Sequence, residues 1–119
     1  MAWMLALATC CLAGAASAQQ YPSKAVRMIV AAPPGGLTDA VARSVSQFLQ
    51  ERLGKPFVVE NIAGANSTIG ANVVARSAPD GHTLLINPSL LVITPMLMNV
   101  PYDVVKDCTP ISNLGTVPL

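Results

Sequence analysis

Pro33-Pro34-Gly35-Gly36-Leu37-Thr38-Asp39 is a run of residue types suited to holding an anion. Glycines bring the backbone within hydrogen-bond reach of a ligand because no Cβ stands between them. Thr38-Asp39 then open a segment with helical period, so their N–H groups lie at the positive end of a helix dipole. That set can take a carboxylate or phosphate on backbone donors, with no cation required. Two other loops carry similar residues: Asn61 to Ser67, where Gly64 and Asn66 suit positive φ beside Ala65, and Pro88-Ser89. The candidate ligand-binding residues are therefore Pro34, Gly35, Gly36, Thr38, Asp39, Gly64, Ala65, Asn66 and Ser89. Two of them have competing roles. Thr38 either caps the helix or turns its hydroxyl to the ligand, and Asp39 either offsets the dipole of the first turn or meets an ordered water or a ligand ammonium.

Other reactive residue types have plainer readings. His82 follows a turn and lacks a Ser, Cys, Asp or Glu arrangement around it, so it reads as an exposed turn histidine rather than a catalytic or metal-binding one. Met96 and Met98 read as packing residues and not as metal ligands. Neither G-x-x-x-x-G-K-[ST] nor G-x-G-x-x-G occurs, which argues against nucleotide binding. No cofactor is expected.

The elements that must position these loops follow from periodicity. Val26 to Ala32 is a short run, apolar but for Arg27, bounded by prolines and glycines, and it reads as a strand buried on both faces. From Thr38 to Leu53 a helix is predicted, with Val41, Val45, Phe48, Leu49 and Leu53 in one apolar stripe and Arg43, Ser46, Gln47, Gln50 and Glu51 opposite. Gly54 and Pro56 stop it. Phe57 to Glu60 is a second strand, a second helix starts near Thr68 with Ile69, Val73 and Val74 on its buried face, and Thr83 to Asn87 is a third strand. Strand, loop and helix start repeat three times, which predicts a parallel doubly wound α/β sheet with all three loops on one edge. Leu90 to Met98 is apolar but broken by Pro95, and Val100 to Pro110 reads as an extended connector with one helical turn. Ile111 to Leu119 begins a strand-like stretch without a closing element, so the sequence reads as cut within a domain.

Composition narrows the partners. With 119 residues, net charge +1 and 11% charged residues, the chain has no basic field for nucleic acid and no polybasic run for a membrane surface. A mean hydropathy of +0.52 comes partly from continuous Val/Ile/Leu strands and partly from residues 1–18. Those residues form a charge-free apolar run ending in Ala16-Ser17-Ala18, an A-x-A cleavage pattern, so they read as a signal peptide cut after Ala18, with residues 19–119 as the exported part. No Lys or Arg precedes the run. Cys10 and Cys11 fall inside it; Leu7-Ala8-Thr9-Cys10 faintly resembles a lipobox, with an unusual Thr before the cysteine. Cys108 is then the single mature cysteine and reads as a small half-buried residue.

Several segments in order resemble one family. Tyr21-Pro22-Ser23-Lys24, the Pro33 to Asp39 loop, Val58-Val59-Glu60-Asn61, Ile69-Gly70-Ala71, Ala78-Pro79-Asp80-Gly81 with Thr83-Leu84-Leu85, and Pro101-Tyr102-Asp103 with Lys106-Asp107 and Thr109-Pro110-Ile111 are similar to the extracytoplasmic solute-binding receptors of tripartite tricarboxylate transporters, the Bug family. The resemblance implies a periplasmic-binding-protein-like, type II clamshell of which this chain resembles the first part of domain one. It implies a monomer that holds a small carboxylate solute between two domains by backbone amides, hydroxyls and waters, and delivers it to membrane transporter subunits. The first loop fits the family pattern. The second has Ile62-Ala63-Gly64-Ala65-Asn66-Ser67 where the family has Arg-Pro-Gly-Ala-Gly-Gly, and the third has Asn87-Pro88-Ser89-Leu90 in place of Gly-Thr-Ser-Gly. Two alternatives stay open: an exported α/β hydrolase or transferase using the loop as an oxyanion site, for which no nucleophile–base pair is visible, and a non-functional truncated receptor.

Overall fold

A computed structural model describes residues 20–116, so the signal-peptide reading of residues 1–18, with Cys10 and Cys11, lies outside the described residues. Strand β1 (Val26–Val30), helix α1 (Leu37–Leu53), strand β2 (Phe57–Asn61), helix α2 (Thr68–Ala75), strand β3 (Thr83–Ile86), helix α3 (Leu90–Leu97) and the single turn α4 (Val104–Asp107) follow in order. The sheet runs β2-β1-β3, and both pairings are parallel. β1 is therefore central. Val26, Ile29 and Val30 are fully buried and Met28 nearly so, but the expected unbroken burial is interrupted at Arg27, which stays exposed and pairs with Glu60 at 2.7 Å. Parallel strands put the loops after β1, β2 and β3 on one edge, as the repeated pattern predicts.

Side-chain alternation along β1 assigns the two helices to opposite faces. α1 lays Val45 and Leu49 over Val26, Met28 and Phe57. α2 approaches from the other face, where Gly70 lies against Ala31 and the carbonyl of Ile62. The faces the helices bury differ from the expected stripes. On α1 the buried positions are Asp39, Ala42 and Ser46, whereas Phe48 and Leu53 stay 54% and 39% exposed. Small residues at the contact let the helix sit close to the sheet, and Ser46, expected on the polar side, donates its hydroxyl to the carbonyl of Phe57. Phe48 instead lies under Arg52, whose guanidinium carbon is 4.9 Å from the ring centroid. On α2 it is Gly70 and Ala71 that are buried, and Ile69 is exposed. A Ser46→Ala variant should lower stability by about 1 kcal/mol through the lost buried hydrogen bond. Its urea midpoint measures this, and an unchanged midpoint would show that the Phe57 carbonyl does not depend on Ser46.

Three expectations fail beyond β3. Leu90 to Leu97 is a helix despite Pro95, because the proline removes one bond near the end of a short helix while the Met98 N–H still reaches the Thr94 carbonyl at 3.0 Å. Thr94 is buried and its hydroxyl reaches the Asn66 carbonyl at 3.2 Å, which ties α3 to the loop after β2. Ile111 to Thr116 forms no strand; those residues are exposed. Met96 and Met98 are exposed as well, so neither acts as the packing residue its type suggests. Cys108 is a free, half-buried thiol that burial and then Asp107 push up, away from the reactive thiolate.

Candidate functional site

The first loop leaves β1 at Val30 and turns through Pro33-Pro34-Gly35-Gly36. Gly35 has φ +86°, a left-handed conformation that glycine adopts without strain. Gly36, at φ −84° and ψ 176°, is the N-cap of α1, so the helix has already begun at Leu37. Thr38 therefore lies inside the helix and does not cap it, which removes one of its two expected roles. A glycine cap brings no side chain to the first turn. The N–H groups of Leu37 and Thr38 precede the first intrahelical bond, from Ala40 N–H to the Gly36 carbonyl at 3.0 Å. Pro34, Gly35 and Gly36 are exposed, and a Cβ added at Gly35 would meet nothing within 4 Å. Open ground thus faces the loop.

Asp39 is engaged within the protein. It is only 4% exposed, and its carboxylate is already engaged on both oxygens. Oδ2 accepts from Gly35 N–H at 3.0 Å and Arg43 Nε at 3.0 Å; Oδ1 accepts from Asn61 Nδ2 at 2.9 Å. The Arg43 guanidinium, then the Gly35 N–H and the Asn61 amide, hold its carboxyl down at about 2. Arg43 also reaches Asn61 Oδ1 at 3.3 Å, and Asn61 Nδ2 reaches the Ala32 carbonyl at 3.3 Å. Sequence reasoning placed Arg43 on the solvent side and gave Asn61 only the start of a loop. The i, i+4 spacing of Asp39 and Arg43 was the one local signal available; Asn61, 22 residues from Asp39, offered none.

The second loop contains a left-handed run. Gly64, Ala65, Asn66 and Ser67 have φ of 128°, 47°, 53° and 69°. Asn66 and Ser67 occupy two of the three places where the resembled family pattern has glycine, the third being Gly64, and all three have positive φ, which glycine adopts at least cost. The buried Ser67 hydroxyl donates to the Ala31 carbonyl at 2.7 Å and pins this loop to the end of β1. Gly64, Ala65 and Asn66 remain exposed, and the Asn66 carbonyl is held by Thr94. In the third loop Ser89 is the exposed N-cap of α3 and makes no side-chain capping bond. A cavity of about 360 Å³ joins the first and third loops, with Thr38, Val41, Asn87 and Pro88 in its wall and Ser112 to Thr116 along its rim. The structure therefore links loop one to loop two through Asn61 and loop one to loop three through this cavity. No side-chain hydrogen bond joins Ser89 to Gly64, Ala65 or Asn66 among the described residues; the link between these loops is Thr94 to the Asn66 carbonyl.

His82 lies at the other end of the sheet, just before β3, and is mostly covered, with its side chain 12% exposed. The expectation of an isolated, exposed turn histidine is corrected on both counts. Ser23 Oγ is 3.4 Å from Nε2, Asp80 Oδ1 is 3.4 Å from Nδ1, and the Tyr21 ring lies against it with centroids 5.3 Å apart. Asp80 is shared with the His82 backbone N–H at 2.9 Å and with Lys24 at 3.2 Å, and Tyr21 bonds the Gly81 carbonyl at 2.7 Å. These contacts clasp residues 21–24 to the 80–82 turn. They are remote from the loop edge, and the described residues hold no cluster of His, Cys, Asp and Glu able to bind a metal.

A parallel α/β sheet whose three loops share one edge, with no side-chain cap at the start of the first helix, is the partial-domain fold of the periplasmic binding proteins it resembles. Residues 41–119 match the tripartite tricarboxylate transporter family receptor, TctC. The chain belongs to that family. It is 45% identical to Protein BugT of Bordetella pertussis over 116 residues, 95% of this chain and 36% of BugT. It is similar in structure to the periplasmic binding protein BugD, at 48% identity and TM-score 0.52, and to MatC of Rhodopseudomonas palustris with bound malate, at 43% identity and TM-score 0.52; each match covers 55% of this chain and 22% of the other. The chain spans about a third of the length of the curated relatives it matches.

Proposed function

We propose that this chain belongs to a periplasmic solute receptor that captures a small carboxylate and delivers it to the membrane subunits of a tripartite transporter, acting as a monomer and without catalysis. The observation that carries the reading is the uncapped start of α1 at the loop edge of a parallel sheet. Its family membership and MatC's bound malate support the carboxylate class. The A-x-A pattern at Ala16 to Ala18 supports export with cleavage after Ala18.

In this reading the solute carboxylate meets the N–H groups of Gly36, Leu37 and Thr38, with the Thr38 hydroxyl beside them, while Pro34 and Gly35 shape the approach. Gly64, Ala65, Asn66 and Ser89 offer backbone and hydroxyl groups to the rest of the solute. Asp39 serves from behind, where its oxygens already accept from the Gly35 N–H, Arg43 of α1 and Asn61 at the end of β2. Each charge-assisted bond contributes roughly 1.5–3 kcal/mol and the helix dipole about 0.3–1 kcal/mol. Two or three such bonds with apolar contacts reach the roughly 8 kcal/mol of micromolar affinity. Calorimetric titration of the purified receptor with malate, succinate and adipate tests this; saturable binding is expected, and none to any small carboxylate would refute it.

A further inference from the structure

We propose that Asn61 is the positioning residue of this anion site, an inference that rests on the carboxylate-receptor reading. Asn61 is the last residue of β2, yet its side chain serves the loop after β1. Its Nδ2 group bonds Asp39 at 2.9 Å and the Ala32 carbonyl at 3.3 Å, and its Oδ1 takes the Arg43 guanidinium at 3.3 Å. Both amide donors and the acceptor are used. Asp39 in turn takes the Gly35 N–H at 3.0 Å, in the left-handed turn that leads into α1. The chain of bonds from Asn61 through Asp39 to Gly35 therefore sets the position of the turn from which the free N–H groups of α1 emerge. Beyond the β1–β2 ladder, which ends at Val30 and Asn61, the backbone adds the Ile62 N–H to Val30 carbonyl bond at 2.9 Å. Asn61 does not touch the solute; it fixes the donors that do.

The charged groups facing Asn61 are Asp39 and Arg43, both from α1; Ala32 and Gly35 on the loop bring only backbone. That pairing gives a test that a merely structural residue would fail. In Asn61→Asp two carboxylates face each other at neutral pH, and at lower pH the pair shares a proton and regains a donor. Malate affinity is measured by calorimetry on the receptor as the cell makes it, with each variant compared with wild type at the same pH so that malate's own titration cancels. Asn61→Asp is expected to bind on the order of tenfold more weakly at pH 7.5 and to recover to within about threefold of wild type at pH 4.5. The swapped pair D39N/N61D restores a donor and an acceptor across the same gap, and is expected to bind more tightly than Asn61→Asp at pH 7.5 even where the single variant folds poorly. A deficit equal at both pH values, or a swap no better than the single variant, overturns the role of Asn61 alone. Wild-type receptor that binds no small carboxylate overturns the receptor reading first and this inference with it.

Discussion

Replacing Gly70 by alanine is expected to destabilise the protein by about 2–3 kcal/mol. Helix propensity alone predicts the opposite sign, since alanine is better than glycine inside a helix by about 1 kcal/mol. The packing decides. A Cβ at Gly70 would stand 2.7 Å from the Ile62 carbonyl oxygen, 2.9 Å from the Ala31 Cβ and 3.1 Å from the Ala31 Cα. Two of these three are backbone atoms, at the end of the central strand and the start of the second loop, and they cannot move aside as a flexible side chain would. The clash also falls where Ser67 pins that loop to Ala31, so the displacement should reach the candidate site. Urea unfolding compares the variant with Gly115→Ala, where an added Cβ meets nothing within 4 Å. A Gly70→Ala midpoint equal to or above wild type would show that α2 does not pack against β1 as described.

The second large effect is expected from Asp39→Ala. Its loss leaves the Gly35 N–H, the Asn61 amide and the Arg43 guanidinium without their shared acceptor. If the first-loop turn moves enough to cost one bond to the solute, carboxylate affinity should fall on the order of tenfold to a hundredfold. Calorimetric titration with malate reads this, and wild-type affinity in the variant would remove Asp39 from the site's support. The acid behaviour has a definite sign. A carboxyl lowered from 3.8 to about 2 on folding contributes stability that is fully present above about pH 4 and is lost as pH falls toward 2. Wild type should therefore lose part of its stability across that window, and Asp39→Ala should lose less. Glu60, Asp80 and Asp103 are also held below the usual carboxylate range, by Arg27, by the His82 N–H with Lys24, and by the N–H groups of Lys106 and Val105, so a shallower slope remains in the variant. Urea midpoints between pH 2 and pH 6 give the comparison, and identical slopes would contradict it.

The order of strands, loops and helices was legible in the sequence because its causes are local. Apolar runs of strand length, glycine and proline at their ends, and helical period after each loop act within a few residues of one another. Val26 and Met28 to Val30 are buried as their apolar types demand, with Arg27 exposed between them, and the three loops share an edge because the repeat allows only a parallel arrangement. The sequence also indicated Gly64 and Asn66 as positive-φ residues, and the chemical character of the first loop. What tertiary structure alone decided were the matters that depend on distant neighbours. Ala42 and Ser46, rather than Phe48, face the sheet because a close helix–sheet approach admits small residues and solvates the large one beside Arg52. Leu90 to Leu97 keeps its helix across Pro95, and Thr94 fastens it to the second loop, a contact no local rule around Pro95 contains. Asp39 could not be assigned from its own neighbourhood either. A carboxylate at a helix start fits dipole, ligand or loop equally well, and the partner that distinguishes this one, Asn61 at 2.9 Å, is brought there only by chain folding.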